Sequence, residues 1–303
     1  MARDSIAAIL RDSEGARWSL DEVTQGLVDL DFHRPFLPEP LVHAERLPFL
    51  APSERVLLSQ IRAHSYLRIA ALCEKATVSF SMAQASWCLR RDTERFLALM
   101  GFGHQAARHI AAFERYAAAV ERGLDVICEM VGGADDIGAR FLAHDSLALG
   151  LLVMHVIVLP QTHYVRAARG SDAIDEHFKE LLRLHWREEA QNARLHRLIL
   201  TELCAQASPE DRVAAIDQYL RMLDDLSMAV TAQAHLDLAI FERVARPLDE
   251  DERQLWRHEQ AASYRHVLLG QGLEHPMLRE MVGEHFDRAL DQLDDAARRF
   301  SVG

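Results

Sequence analysis

Beyond residue 50 the apolar side chains recur at three- and four-residue spacing almost without a break, the period of helices that bury one face. The pattern predicts helices over about 53–82, 90–122, 137–169, 173–206 and 209–246, with shorter ones over about 250–269 and 276–300. Gly123, Gly132-Gly133, Gly170, Pro247, Gly270, Gly272 and Pro276 supply the breaks. Pro52-Ser-Glu opens the first helix, Ser171-Asp172 can cap the fourth, and Ser208-Pro209 opens the fifth with proline near its first position. No run alternates with the two-residue period of a strand. Helices of about 30 residues are about 45 Å long, a length suited to an antiparallel bundle. The fold class expected is therefore all-α.

Residues 1–50 read differently. Trp18-Ser-Leu-Asp can start a short helix, and Pro35, Pro38, Pro40 and Pro48 interrupt the rest of the segment, so it is expected to be an arm that wraps the bundle. The apolar stretch Ile6 to Leu10 is too short for a secretory signal. Residues 51–303 then form one helical domain, with a core bundle over about 53–206 and a helical extension over about 209–300.

Composition narrows the classes. In 303 residues, 49% are apolar and 26% charged, which suits a folded chain with a sizeable core and excludes disorder as its main state. The net charge is −12 and no dense basic stripe occurs, so no nucleic-acid partner is expected. The most apolar run, Ser146 to Pro160, is short of the roughly 20 residues a membrane span needs, so a buried core helix and no membrane partner are expected. Cys73, Cys88, Cys128 and Cys204 form no Cys-x-x-Cys pair, which points away from zinc ribbons and iron–sulfur clusters and toward a reducing cytoplasm. Histidine, with 16 residues, is the unusual number.

Polar groups on apolar stripes are the candidate chemistry. In the fourth helix His185, Glu189, Asn192 and His196 fall at about 0°, 40°, −20° and 20° around the axis. Leu181, Leu182 and Ile199 lie on or near that stripe, whereas Arg187 and Arg194 offer an outward face. A buried Glu189 needs a histidine, arginine, asparagine or metal beside it; the bland alternative is a solvated face. In the second helix His109 shares a face with Phe102, Gln105, Ala106 and Phe113, which suits a satisfied core histidine as well as a ligand. In the first, Glu74 stacks over Leu67, Ala70 and Ala71, unless it pairs with Lys75 at the surface. The third helix is apolar nearly all round; His155 is expected to bond a neighbour, and Pro160 to kink the helix.

The chain resembles the ferritin-like di-iron carboxylate proteins, in particular oxygenases of the p-aminobenzoate N-oxygenase type. The resemblance covers most of the chain. It is carried by Phe36-Leu-Pro-Glu-Pro-Leu, Gln60-Ile-Arg-Ala-His-Ser-Tyr66, Cys73-Glu74, Arg108-His109-Ile, Gln161-Thr-His163-Tyr164, His185-Trp-Arg-Glu-Glu189-Ala-Gln and Gly272-Leu-Glu-His-Pro276. It implies a ferritin-like four-helix bundle, with a Glu on the first helix, Glu-x-x-His on the second, a Glu on the third and Glu-x-x-His on the fourth, holding two irons. Four positions keep their ligands: Glu74, His109, His185 and Glu189. Three depart: Ala106, Ile157 and Asn192 stand where a Glu, a Glu and a His belong.

Two carboxylates and two imidazoles suit one divalent ion with room for water or substrate. The resemblance thus implies a metal-dependent oxygenase or oxidoreductase. Its site is expected to hold one iron or manganese ion per chain and to act on a small organic substrate, and an electron-transfer protein is a candidate partner. Tyr66, Gln105, His155, Asn192 and His196 are candidates for supporting the ion or the substrate. The family also implies a homodimer. The alternative is a metal-free relative, its Glu–His contacts serving as buried ion pairs, that binds a ligand or a partner. Haem binding through His109, His155 or His185 has no motif behind it, and the C-terminal extension disfavours a storage shell.

Overall fold

The computed structural model describes residues 6–90, 92–132, 143–286 and 289–301, and among these there is no strand. Two short helices, α1 (Ile6–Ala16) and α2 (Leu20–Thr24), precede the bundle. Four long ones build its core: α3 (Pro52–Cys88), α4 (Thr93–Leu124), α5 (Ser146–Thr162) and α6 (Glu176–Gln206). A further long helix, α7 (Pro209–Val244), and α8 (Glu250–Arg265), α9 (Pro276–His285) and α10 (Ala289–Phe300) complete the chain.

Helices α3 and α4 lie antiparallel: Ser81 Oγ donates to the Leu99 carbonyl at one end, and Arg68 meets Glu114 toward the other. Helices α5 and α6 form a second antiparallel pair, with His196 on the Gly150 carbonyl and Tyr164 stacked on Trp186. Contacts of α3 with α5 and of α4 with α6 close the ring of four. The expected all-α bundle with an arm before it and helices after it is the architecture observed.

Several ends differ from the periodic pattern, for local reasons. Helix α3 runs on to Cys88, past the expected 82, and buries Gln84, Ala85 and Cys88. The third helix begins at Ser146, where the Asp145 carboxylate accepts the Leu147 N–H. Of the earlier start expected near 137, residues 137–142 lie outside the described residues. The fourth helix starts at Glu176 and not at 173; its cap is Asp175, which takes the Phe178 N–H at 2.8 Å, in place of Ser171-Asp172. The last stretch is two helices, because α9 ends at His285 and Phe286 is extended. Pro160 does not end α5. The helix widens into a π turn over His163–Ala168, a wider coil that the residue pattern does not announce.

The apolar run behaves as a core helix. The stretch Ser146–Ala168 is long and apolar enough to cross a membrane by composition, yet 83% of its most apolar window is buried inside the protein. The arm is stitched to α3 by hydrogen bonds. Ser59 Oγ holds the N–H groups of Phe36 and Leu37, Gln60 donates to the Phe32 and Arg34 carbonyls, and Arg62 donates to the Leu41 carbonyl. Part of the segment Gln60–Tyr66 therefore docks the arm.

The core consists of two main apolar clusters. One holds Phe80, Leu99, Phe102, Leu152 and Ala193; the other holds Leu67, Ala71, Ala112, Phe113, Leu182 and Leu184. Along α3, α4 and α6 the change from one cluster to the other falls at Glu74, between Phe102 and Ala112, and between Leu184 and Ala193. A polar layer occupies that waist.

Candidate metal centre

Glu74 from α3, His109 from α4, and His185 and Glu189 from α6 form this layer, all four buried. One donor atom from each lies within 4.8 Å of the other three. The stripe on α6 is not a solvated face, since Glu189 is 2% exposed and Asn192 4%. Nor does Glu74 form a surface pair with Lys75: Glu74 is buried while Lys75 is exposed, because adjacent helical residues point about 100° apart.

Glu74 Oε1 lies 2.9 Å from His109 Nδ1 and 3.2 Å from His185 Nε2, and Glu189 Oε1 lies 3.5 Å from the same His109 nitrogen. Asn192 donates from Nδ2 to Glu189 Oε1 at 2.8 Å. The other histidine nitrogen, His109 Nε2, faces Glu188 Oε2 at 2.9 Å, and Glu188 is also paired with Arg108. Trp18 roofs this arrangement: its ring stacks on His109 at 5.9 Å, and the Arg108 guanidinium lies 4.7 Å above the same ring. The expected arm thus reaches the site itself.

The ionisation states follow from burial and neighbours. Burial alone pushes the His109 imidazolium down, but Glu74, Glu188 and Glu189 overcome it and raise the group to about 10. Burial works against the Glu74 carboxylate, yet His109 and His185 hold it down at about 2. Burial and then the charge of Glu74 push Glu189 up to about 8. His185 is lowered, chiefly by burial. Among the four clustered side chains, the buried atom without a hydrogen-bond partner is Glu74 Oε2; beside them Trp18 Nε1 and Arg108 Nε also lack one. An unsatisfied carboxylate oxygen beside two histidines and a second carboxylate is a donor set that fits a divalent cation.

The residue pattern does not single out Glu188, Arg108 or Trp18 as site residues. Glu188 sits about 60° to one side of His185, inside the wide buried face of α6, so the width of that face is the signal that could find it. The supporting candidates fall into two groups. Asn192 touches Glu189, and Gln105 joins Asn192 and Arg108 in lining a cavity of about 490 Å³. That cavity lies between α1, α4 and α6 and is walled by Ile9, Leu97, Phe102 and Leu195. Tyr66, His155 and His196 make their hydrogen bonds elsewhere. Tyr66 bonds His163 at 2.9 Å, His155 bonds Tyr219 and the Leu268 carbonyl, and His196 bonds the Gly150 carbonyl between Phe80 and Phe102. Ala106 and Ile157 are buried and bring no ligand.

No protein-family model matches the chain, and no curated protein does. Solved structures to which the chain shows some similarity include a variant of an R2-like ligand-binding oxidase with aerobically reconstituted Mn/Fe cofactor. It is 14% identical over 86% of this chain and 91% of that one, with a TM-score of 0.42. Another variant, with a non-activated Mn/Mn cofactor, is 15% identical over the same shares, with a TM-score of 0.42. The chemistry of the site rests on this chain's own residues.

Proposed function

We propose that the chain is a metal-dependent oxidoreductase of ferritin-like type, akin to the p-aminobenzoate N-oxygenase-like proteins, with a remodelled site for one iron or manganese ion. The observation that carries this reading is the convergence of Glu74, His109, His185 and Glu189 within 4.8 Å, with Glu74 Oε2 unsatisfied. Replacing such a buried polar layer by apolar side chains is often neutral or stabilising by about 1–4 kcal/mol, so its retention favours a use other than stability.

The supporting residues suit that use. Glu188 holds the Nε2–H of His109, which turns Nδ1 toward the other three ligands and raises its basicity. Arg108 balances the Glu188 charge. Asn192 fixes one oxygen of Glu189. An iron or manganese ion there supplies one-electron redox chemistry toward dioxygen and an organic substrate. Gln105 and Asn192, the latter bonded to Glu189, help line the 490 Å³ cavity, whose size and largely apolar walls suit a small organic molecule.

A metal-free reading has one observation of its own. His109 as an imidazolium between Glu74 and Glu188 is a satisfied ion network without any metal. Metal content decides between them, measured by mass spectrometry after anaerobic Fe(II) loading of wild type and of Glu74→Ala/Glu189→Ala. We expect the wild type to hold about one ion per chain more than the double variant does. No bound metal in the loaded wild type refutes the enzyme and leaves the ion network.

A further inference from the structure

A second cluster of metal-capable side chains lies away from the polar layer: His64 on α3, Glu121 on α4 and Cys128 just after α4. One donor atom from each lies within 4.8 Å of the others. Local backbone geometry puts Cys128 there. Helix α4 ends at Leu124, and Asp125 takes up a left-handed conformation with φ of 52°, which reverses the chain. The Val126 N–H then returns to the Glu121 carbonyl, and the Cys128 N–H donates to Glu121 Oε1 at 3.1 Å. Gln233 on α7 clamps the segment from the other side, donating to the Glu129 carbonyl and accepting from the Val131 N–H.

The side chains are poorly satisfied as they stand. His64 is 1% exposed, its Nδ1 has no hydrogen-bond partner, and its Nε2 lies 3.4 Å from Glu121, beyond a good hydrogen bond. Cys128 is 6% exposed. The ring nitrogen on the Glu121 side is Nε2, and at neither nitrogen does the buried imidazole make a good hydrogen bond.

We propose that His64, Glu121 and Cys128 form a second metal site, distinct from the polar layer, that takes Zn²⁺. One thiolate, one imidazole and one carboxylate are the ligand types of tetrahedral zinc, with bonds of about 2.0–2.3 Å that place neighbouring donors about 3.3–3.8 Å apart. A small side-chain closure from the present spacing meets that geometry. The fourth position is left to water, which Glu121 admits because its side chain is 34% exposed. Binding displaces the thiol proton of Cys128 to solvent and forms a zinc–sulfur bond with no change of oxidation state. The ion would tie the chain leaving α4 to α3.

The full-length protein, stripped with a chelator, is titrated with Co²⁺ and with Zn²⁺. A thiolate-to-cobalt charge-transfer band reports sulfur ligation, which the Glu74 and Glu189 layer, having no sulfur ligand, does not give. We expect the band in the wild type, its loss on Zn²⁺ addition, and its absence in Cys128→Ser. Zn²⁺ should also slow alkylation of Cys128, read by peptide mass spectrometry, on the order of tenfold or more. That measurement stands on the wild type alone if the variant does not fold. No band with excess Co²⁺, a band that persists in Cys128→Ser, or unprotected Cys128 overturns the proposal.

Discussion

Glu188→Gln tests how His109 is used. The substitution keeps the size of a side chain that is fully buried and removes one charge. It leaves an amide oxygen that can still take the His109 Nε2–H, so the tautomer is preserved while the electron donation through the ring weakens. Carboxylate partners of metal-bound histidines are worth about 10–100-fold in metal affinity, or about 1.4–2.7 kcal/mol. The fold loses less than a broken buried ion pair, which costs about 3–5 kcal/mol. The new amide still accepts one hydrogen bond, and the Arg108 side chain, 14% exposed, is near enough to the surface to find water. A cost of about 1.5–3 kcal/mol is expected, the worth of a hydrogen bond to a charged group. The assay pairs chelator competition for Fe(II) or Mn(II) at pH 7 with urea unfolding of the metal-free protein. Affinity within twofold of wild type, with the stability loss present, refutes ligation through Nδ1.

Metal loading at pH 7 should release about two protons, because the metal-free protein holds one on His109, raised to about 10, and one on Glu189, raised to about 8. Affinity then rises with pH, by about 100-fold per unit below pH 8 and about tenfold per unit from there to pH 10; an indicator dye in weak buffer reads the release. The metal-free protein should lose stability in mild acid. Burial lowers His43, His64, His155, His163 and His196 to about 4, so the neutral forms they favour contribute fully above 6.5 and fade toward pH 4. Glu189 is raised and gains stability as pH falls, which offsets one of the five, while the His109 contribution is already complete below 6.5. Each proton taken up on unfolding near pH 5.5 corresponds to about 1.4 kcal/mol per pH unit, and the downward shift of the urea midpoint with falling pH checks the sign. Gly272→Ala should cost about 1–3 kcal/mol of stability, read by thermal unfolding, because its Cβ would stand 2.3 Å from His155 Nε2 in a packed core.

The helices are legible in the sequence because each carries its own punctuation and period. Ser208-Pro209 and the stripe through His185, Glu189 and Asn192 are local facts that need no partner to be read. Contacts between helices are not local. Glu188 stands next to Arg187 in sequence, and only the approach of α4 shows that it faces Arg108 and His109. Tyr66 lies on the same helix as Glu74 but two turns away, where the π turn presents His163 to it. Cys128 looks isolated when cysteine spacing is read along the chain, whereas His64 and Glu121 meet it across a helix pair and a left-handed turn. Buried histidines such as His155 and His196 are read only with their acceptors, carbonyls on other segments.

Charge bears on how many ions the polar layer takes. Glu188 is already balanced by Arg108 and the His109 Nε2–H, which leaves Glu74 and Glu189 to neutralise a cation. One divalent ion with two carboxylates and two neutral imidazoles is a neutral set. The three positions where the resemblance implies further ligands hold Ala106, Ile157 and Asn192, none of them ionisable. A second divalent ion would therefore bring two uncompensated charges into a layer whose four ligands are at most 5% exposed. The effective penalty for burying an unpaired charge is several kcal/mol per ion, larger than the gain from sharing ligands the first ion already uses. Metal analysis of the loaded Cys128→Ser protein, in which the His64 cluster lacks its thiolate, should therefore give one ion at this layer. Two ions there would mean that Glu188 leaves Arg108 to bridge them, and that the neutral set is not the one the protein adopts.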